Sequence, residues 1–167
     1  MDLSTLRDLP LTYAEVGATA GTLPAGYHHL DLSAPIGKGR RRFEQAGDAV
    51  LRWGMHRGAG VGVRVESDSD VAEVSTVALV RLGLMSAPCR VIYVVNEPDR
   101  RGFAYGTLAG HPESGEELFS VRYDPTDETV YAQVRAFSRP ATWWTKVGGP
   151  AGRLTQRIIA KRYLRAV

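Results

Sequence analysis

The stretch from Tyr105 to Glu117 holds Tyr105, Thr107, His111, Glu113, Ser114, Glu116 and Glu117 around three glycines. An imidazole changes charge near neutral pH, and carboxylates beside it raise its pKa and complete a proton-transfer pair. His111 with Glu113, Glu116 or Glu117 is therefore the candidate general acid or base. A solvated hairpin tip between two strands uses the same residue types, with Gly and Pro shaping the turn. Both readings stand on sequence alone.

Arg139 precedes Pro140, which biases it to extended backbone at the junction of the last strand and the terminal helix. A guanidinium there suits a ligand carboxylate, or an ion pair with Glu113, Glu116 or Glu117 that pins helix to sheet. Trp53, Tyr93, Tyr105, Phe137 and Trp143 are large apolar groups that would wall a ligand cavity, and such residues also fill any core.

These residues need elements to position them. Leu30, Leu32, Ala34 and Ile36 alternate after Tyr27, which predicts a half-buried strand over Tyr27 to Ile36. After Gly37-Lys38-Gly39 the period changes, and Phe43, Ala46, Val50 and Trp53 share one side of a helix that ends near Gly54 to Gly58. Gly58 to Val63 then returns to extended backbone. Strand signals follow in series at Val74 to Leu82, Arg90 to Val95, Gly102 to Leu108, Glu116 to Tyr123 and Val130 to Phe137. The breaks between them, Gly83 to Pro88, Asn96 to Asp99, Gly110 to Gly115 and Asp124 to Asp127, have turn chemistry. Short turns mean antiparallel pairing, because a parallel pair needs a crossover of a dozen or more residues.

The chain closes with a helical stripe of Ala151, Leu154, Ile158 and Ile159, with Arg153, Arg157, Lys161 and Arg165 on another face. Pro150 predicts a kink or a second helix starting there. Strand, helix, antiparallel strands and terminal helix make an α+β pattern in which the helix covers a curved sheet. An imperfect grip leaves an apolar cavity between them. The expected unit is one domain over 1–167, with residues 1–10 loosely held.

Lys and Arg number 21 against 18 Asp and Glu, a net charge of only +3, which argues against a nucleic acid partner. The basic terminal stripe reads first as a solvated face, and a contact with anionic lipid headgroups or nucleic acid is its sharper alternative. The single Cys89 excludes an internal disulfide and a multi-cysteine zinc site, and it fits a reducing compartment, with the cytoplasm as default. No run of about 20 apolar residues predicts a membrane span.

Several motifs fail. Ser114 has Pro112 where a nucleophile elbow needs Gly. Gly37-Lys38-Gly39 and Gly58 to Gly62 lack the dinucleotide and phosphate-loop endings. His28, His29, His56 and His111 lack metal-ligand spacing, so no metal and no cofactor are expected.

Four stretches carry a family resemblance: Leu11-Thr12-Tyr13-Ala14-Glu15-Val16-Gly17-Ala18-Thr19, Pro88-Cys89-Arg90-Val91, Phe103 through Glu117, and Ala136-Phe137-Ser138-Arg139-Pro140. From about Leu11 onward the chain resembles the family known as domain of unknown function nineteen-ninety. That family is similar to the START, polyketide-cyclase and Bet v 1-like superfamily. The resemblance implies a helix-grip fold and no particular activity. The functional expectations are then three: binding of a hydrophobic or lipid-like small molecule between sheet and helix; cyclase, isomerase or hydrolase chemistry through His111 and a nearby Glu; or a contact through the basic helix.

Overall fold

A computed structural model of the chain describes residues 3–66, 69–141 and 158–167. The alternating residues after Tyr27 form β1 (His28–Lys38), and the change of period at Gly39 starts α1 (Arg40–Leu51), with Phe43, Ala46 and Val50 buried. The helix stops before Trp53, which adopts a left-handed conformation (φ 61°), and one more turn, α2 (Gly54–Gly58), follows. Only glycine fits at position 54, where a Cβ would lie 2.6 Å from the Ala49 carbonyl oxygen. The break turns the Trp53 ring fully into the core.

Six strands follow: β2 (Gly62–Val65), β3 (Val77–Leu82), β4 (Met85–Glu97), β5 (Arg100–Thr107), β6 (Glu113–Tyr123) and β7 (Thr129–Pro140). They form one antiparallel sheet of seven strands with β1, in the order β1-β7-β6-β5-β4-β3-β2. Tight turns dictate the meander from β3 to β7. The first strand pairs with the last, so α1 and α2 must span the sheet between β1 and the far edge at β2. Residues 158–164 are helical and form α3. Ala160, Tyr163 and Leu164 of this C-terminal part join the same core as Trp53, Phe103 and Phe119. The architecture is the α+β helix grip that the element order implies.

Several boundaries move. Gly83 to Pro88 is not one turn, because β3 and β4 meet through Gly83 and Leu84 and residues 85–88 already belong to β4. The tip expected at Gly110 to Gly115 is shorter, because β6 begins at Glu113 and pairs with Pro140. In the N-terminal segment Leu3 and Leu6 are buried with Val77, Leu79 and Leu108 on the outer face of the sheet. Arg90 staples it there, donating to the carbonyls of Arg7 at 2.5 Å and Leu9 at 2.8 Å. The expected kink at Pro150, and Ala151, Arg153, Leu154 and Arg157 of the helical stripe, lie outside the described residues.

Bulges between Pro35 and Gly37 in β1 and between Val91 and Tyr93 in β4 bend the sheet around the helices. Strands β5 and β6 approach so closely that a Cβ at Gly102 would lie 2.1 Å from the Phe119 carbonyl oxygen, whereas at Gly62 the nearest atom would be 3.7 Å away. Gly102→Ala should therefore cost about 1–3 kcal/mol in urea denaturation, the usual penalty of overpacking. Gly62→Ala should stay within about 0.5 kcal/mol of the parent. Equal midpoints for the two variants would contradict this packing.

Candidate functional site

Successive side chains in β6 alternate between the two faces of the sheet. Glu116 points outward, under the N-terminal segment, and accepts hydrogen bonds from the Tyr13 hydroxyl (2.7 Å), the Gly17 amide (2.7 Å), and the amide (3.0 Å) and hydroxyl of Thr19. Every donor comes from residues 13–19, so this carboxylate anchors the segment to the sheet. Glu117 points inward.

The inner face holds a cavity of about 180 Å³ between the sheet and α3. Leu30, Val80, Ala87, Ala136 and Ile159 make its walls, and the exposed Leu82 and Met85 stand at its rim. A cavity of about 150 Å³ with apolar walls admits benzene. The polar side chains facing this one include Tyr105, Glu117, Tyr163, Glu113, His111 and His28. The Tyr105 hydroxyl donates to Glu117 Oε2 at 3.0 Å. Burial pushes the Glu117 carboxyl up to about 7, with the charge of Glu113 adding to the rise and the Tyr105 bond opposing it. Burial likewise raises the Tyr105 and Tyr163 hydroxyls above their ordinary range, so both remain protonated donors.

His111 lines the same cavity as Glu117, but the carboxylates do not raise its pKa. Burial lowers it to about 4 against an opposing hydrogen bond to the Glu113 backbone, whose carbonyl and N–H both lie 3.0 Å from Nδ1. Of the candidate acid–base residues, His111 is held toward its neutral form while Glu117 titrates close to neutrality. Arg139 is exposed, and its guanidinium sits 4.9 Å from the centre of the Tyr27 ring. It borders a separate, more polar depression with Thr12, His111 and Ser114.

The aromatic candidates divide. Tyr105 faces the cavity. Trp53 lies behind it in the core, its ring 4.5 Å from Phe103 and stacked 6.1 Å from Tyr105. Tyr93 is on the outer face, where its hydroxyl meets that of Thr19 at 2.7 Å. Phe137 borders the cavity wall, yet its ring packs edge-on to Tyr13 and Tyr27, also outside. Trp143 lies outside the described residues. Of the basic groups, Lys161, Arg162 and Arg165 are exposed on or just after α3, and Arg40 pairs with Asp99 at 2.7 Å. Among the described residues, no three His, Cys, Asp or Glu side chains group as metal ligands would.

The sequence profile described as "Domain of unknown function (DUF1990)" matches residues 12–166. The chain belongs to this family. It is 42% identical over 76 residues to a UPF0548 protein of Deinococcus radiodurans, a match covering 46% of this chain and 38% of that one. It is 27% identical over 139 residues to the UPF0548 protein At2g17695 of Arabidopsis thaliana, covering 79% of this chain and 67% of the relative. The hypothetical protein jhp0584 of Helicobacter pylori superposes with a TM-score of 0.67 at 8% identity, over 83% of this chain and 84% of that one. Major latex-like protein 151 of Panax ginseng superposes with a TM-score of 0.56 at 15% identity, over 84% and 96%. At such identities these likenesses concern the fold. Among the described residues no helix is long and apolar enough to cross a membrane.

One residue escaped the sequence reading. His56 in α2 is fully buried against Phe119, Tyr163 and Trp53, and neither ring nitrogen has a hydrogen-bond partner among the described residues. Burial lowers its pKa to about 3. Nothing in the pattern Gly54-Met55-His56-Arg57-Gly58 marks it, because a lone His carries no period. Between pH 6.5 and 3 the unfolded chain binds a proton at His56 that the folded chain does not, so stability falls as pH falls, by up to about 1.4 kcal/mol per pH unit. His111 acts in the same sense over a shorter range. Glu117 acts oppositely, since its raised pKa removes stability as pH rises from about 4.5 through 7. His56→Phe leaves both of those contributions in place. Its stability relative to the parent should therefore grow by about 2 kcal/mol between pH 7 and pH 5 in urea titrations, from the slope above. Parallel curves would show that His56 is not held neutral.

Proposed function

We propose that this protein binds an apolar small molecule in the cavity between the sheet and α3. The observation that carries the reading is the cavity itself. Its walls are aliphatic, and its polar groups converge at one end around Glu117, as in sites that orient a ligand by a few polar contacts. On the outer face the N-terminal segment packs Leu3 and Leu6 and is held by the Glu116 anchor, and the depression at Thr12, Ser114 and Arg139 is more polar than the inner cavity. Small lipid-like molecules fit this description, with the tail along Leu30, Val80 and Ile159 and the polar end toward Tyr105 and Glu117.

A second reading rests on the Glu117 carboxyl. An acid that titrates near 7 inside an apolar site is suited to take up and release a proton during turnover. In that case the reaction is a proton-transfer step of the isomerase or cyclase kind, with Glu117 moving the proton and Tyr105 donating to the carboxylate. Neutral His111 would orient substrate through its ring. Substitution of Glu117 by Gln would then abolish turnover while leaving binding in place.

Binding is tested with 1-octanol, an apolar probe with one small polar end. Calorimetry should show saturable one-site binding with a negative heat-capacity change, the sign of apolar burial. Ala136→Trp places a large ring in the cavity and should weaken binding at least ten-fold while the circular dichroism spectrum is retained. Equal affinity in the parent and this variant would place the binding elsewhere.

A further inference from the structure

The charges inside the cavity say more about its ligand than the walls do. Of the acidic residues of β6 that line it, Glu113 and Glu117 turn their side chains inward, and the carboxylate of Glu116 is bound by the N-terminal segment on the other face. Among the described residues no Lys or Arg lines the cavity, and the two histidines that do are His28 of β1 and His111 of the β5–β6 turn. Burial lowers the pKa of His111 to about 4, which keeps its ring neutral near pH 7. Among the described residues, an anionic ligand group would therefore meet carboxylates and no counter-charge. Two phenol rings, Tyr105 from β5 and Tyr163 from α3, stand at the same end, and aromatic faces attract cations.

We propose, building on the reading of the cavity as an apolar-ligand site, that its ligand carries a basic nitrogen and that Glu117 receives the protonated amine between the rings of Tyr105 and Tyr163. The hydrogen bond from Tyr105 occupies Oε2 and leaves acceptor capacity on Oε1. An ammonium is a donor with no acceptor, so it complements a carboxylate flanked by phenols. It also removes the penalty of an ionised carboxylate held away from water, since a buried charge is tolerated when paired. The aliphatic part then extends along Val80 and Ile159 to the rim at Leu82 and Met85.

The proton balance follows from the groups that face Glu117. These are Tyr105 from the neighbouring β5, Cys89 from β4 one strand further, Tyr163 from α3, Glu113 on the same strand, and His111 and His28 at the wall. Burial raises the Cys89 thiol as it does the two phenols, so all three stay neutral at pH 6–8. Glu117 is partly protonated at pH 7. An ammonium entering there displaces that proton to solvent, and amine affinity rises from pH 6 to pH 8 as the carboxylate ionises.

Three probes with the same tail test the proposal by calorimetry: 1-octylamine, 1-octanol and octanoate. At pH 8 octylamine should bind at least ten-fold tighter than octanol, and octanoate weaker than octanol. Octylamine binding at pH 7 should release a fraction of a proton, read from the heats in phosphate and Tris buffers. Glu117→Gln should bring octylamine to the affinity that octanol shows for the same variant, with an unchanged circular dichroism spectrum showing that the variant is folded. If octanol or octanoate binds as tightly as octylamine to the parent protein, the amine proposal is wrong and the apolar-site reading stands. If none of the three binds, that broader reading fails and takes this one with it.

Discussion

Two consecutive carboxylates, Glu116 and Glu117, stand on opposite faces of β6 because side chains alternate along a strand. Much of the arrangement depends on that alternation and on its register. Outward, Glu116 meets Tyr13, Gly17 and Thr19, all donors. A carboxylate so satisfied is a strong anchor, because hydrogen bonds to a charged group are worth about twice those between neutral ones. Inward, Glu117 meets one phenol and aliphatic walls, and its charge is opposed by burial. A slip of one residue would send the anchor into the cavity and the poised acid under the N-terminal segment.

The two faces divide the labour. The N-terminal segment, stapled by Glu116 and Arg90, closes the outer face with its own apolar cluster. The inner face is left to the helices. There α1, α2 and α3 fill most of the concavity around Trp53, Phe103 and Phe119, and the remainder, between β1, β3–β7 and Ile159, is the cavity. The left-handed Trp53 and the obligatory Gly54 shape this division, since they turn the chain so that Trp53 and His56 both enter the core.

Much of this was legible in the residues. The alternation of Leu30, Leu32, Ala34 and Ile36 and the stripe of Phe43, Ala46 and Val50 are periodic signals, and both correspond to elements with those residues turned inward. The motifs shared with the family include Thr12, Tyr13, Gly17 and Thr19 at one place and Thr107 and Glu116 at another, which are the two sides of the outer-face anchor. What stayed hidden depends on register. Alternation says that Glu116 and Glu117 face apart, but only pairing with β5 and β7 and the cover on each face say which is inside. Tyr93 shows the same limit: counted in twos from the inner Val91 it belongs to the cavity face, and the bulge between them moves it outside. The orphaned His56 has neither period nor partner to announce it.

The central claim is that the space between sheet and α3 holds an apolar molecule. Native mass spectrometry of the protein purified without denaturant tests it most directly. The account predicts a population carrying the added mass of one small molecule, extractable into organic solvent on unfolding and missing from the Ala136→Trp variant prepared in parallel. A single species at the mass of the bare chain, together with a crystal structure in which side chains fill the space beside Glu117, would contradict it.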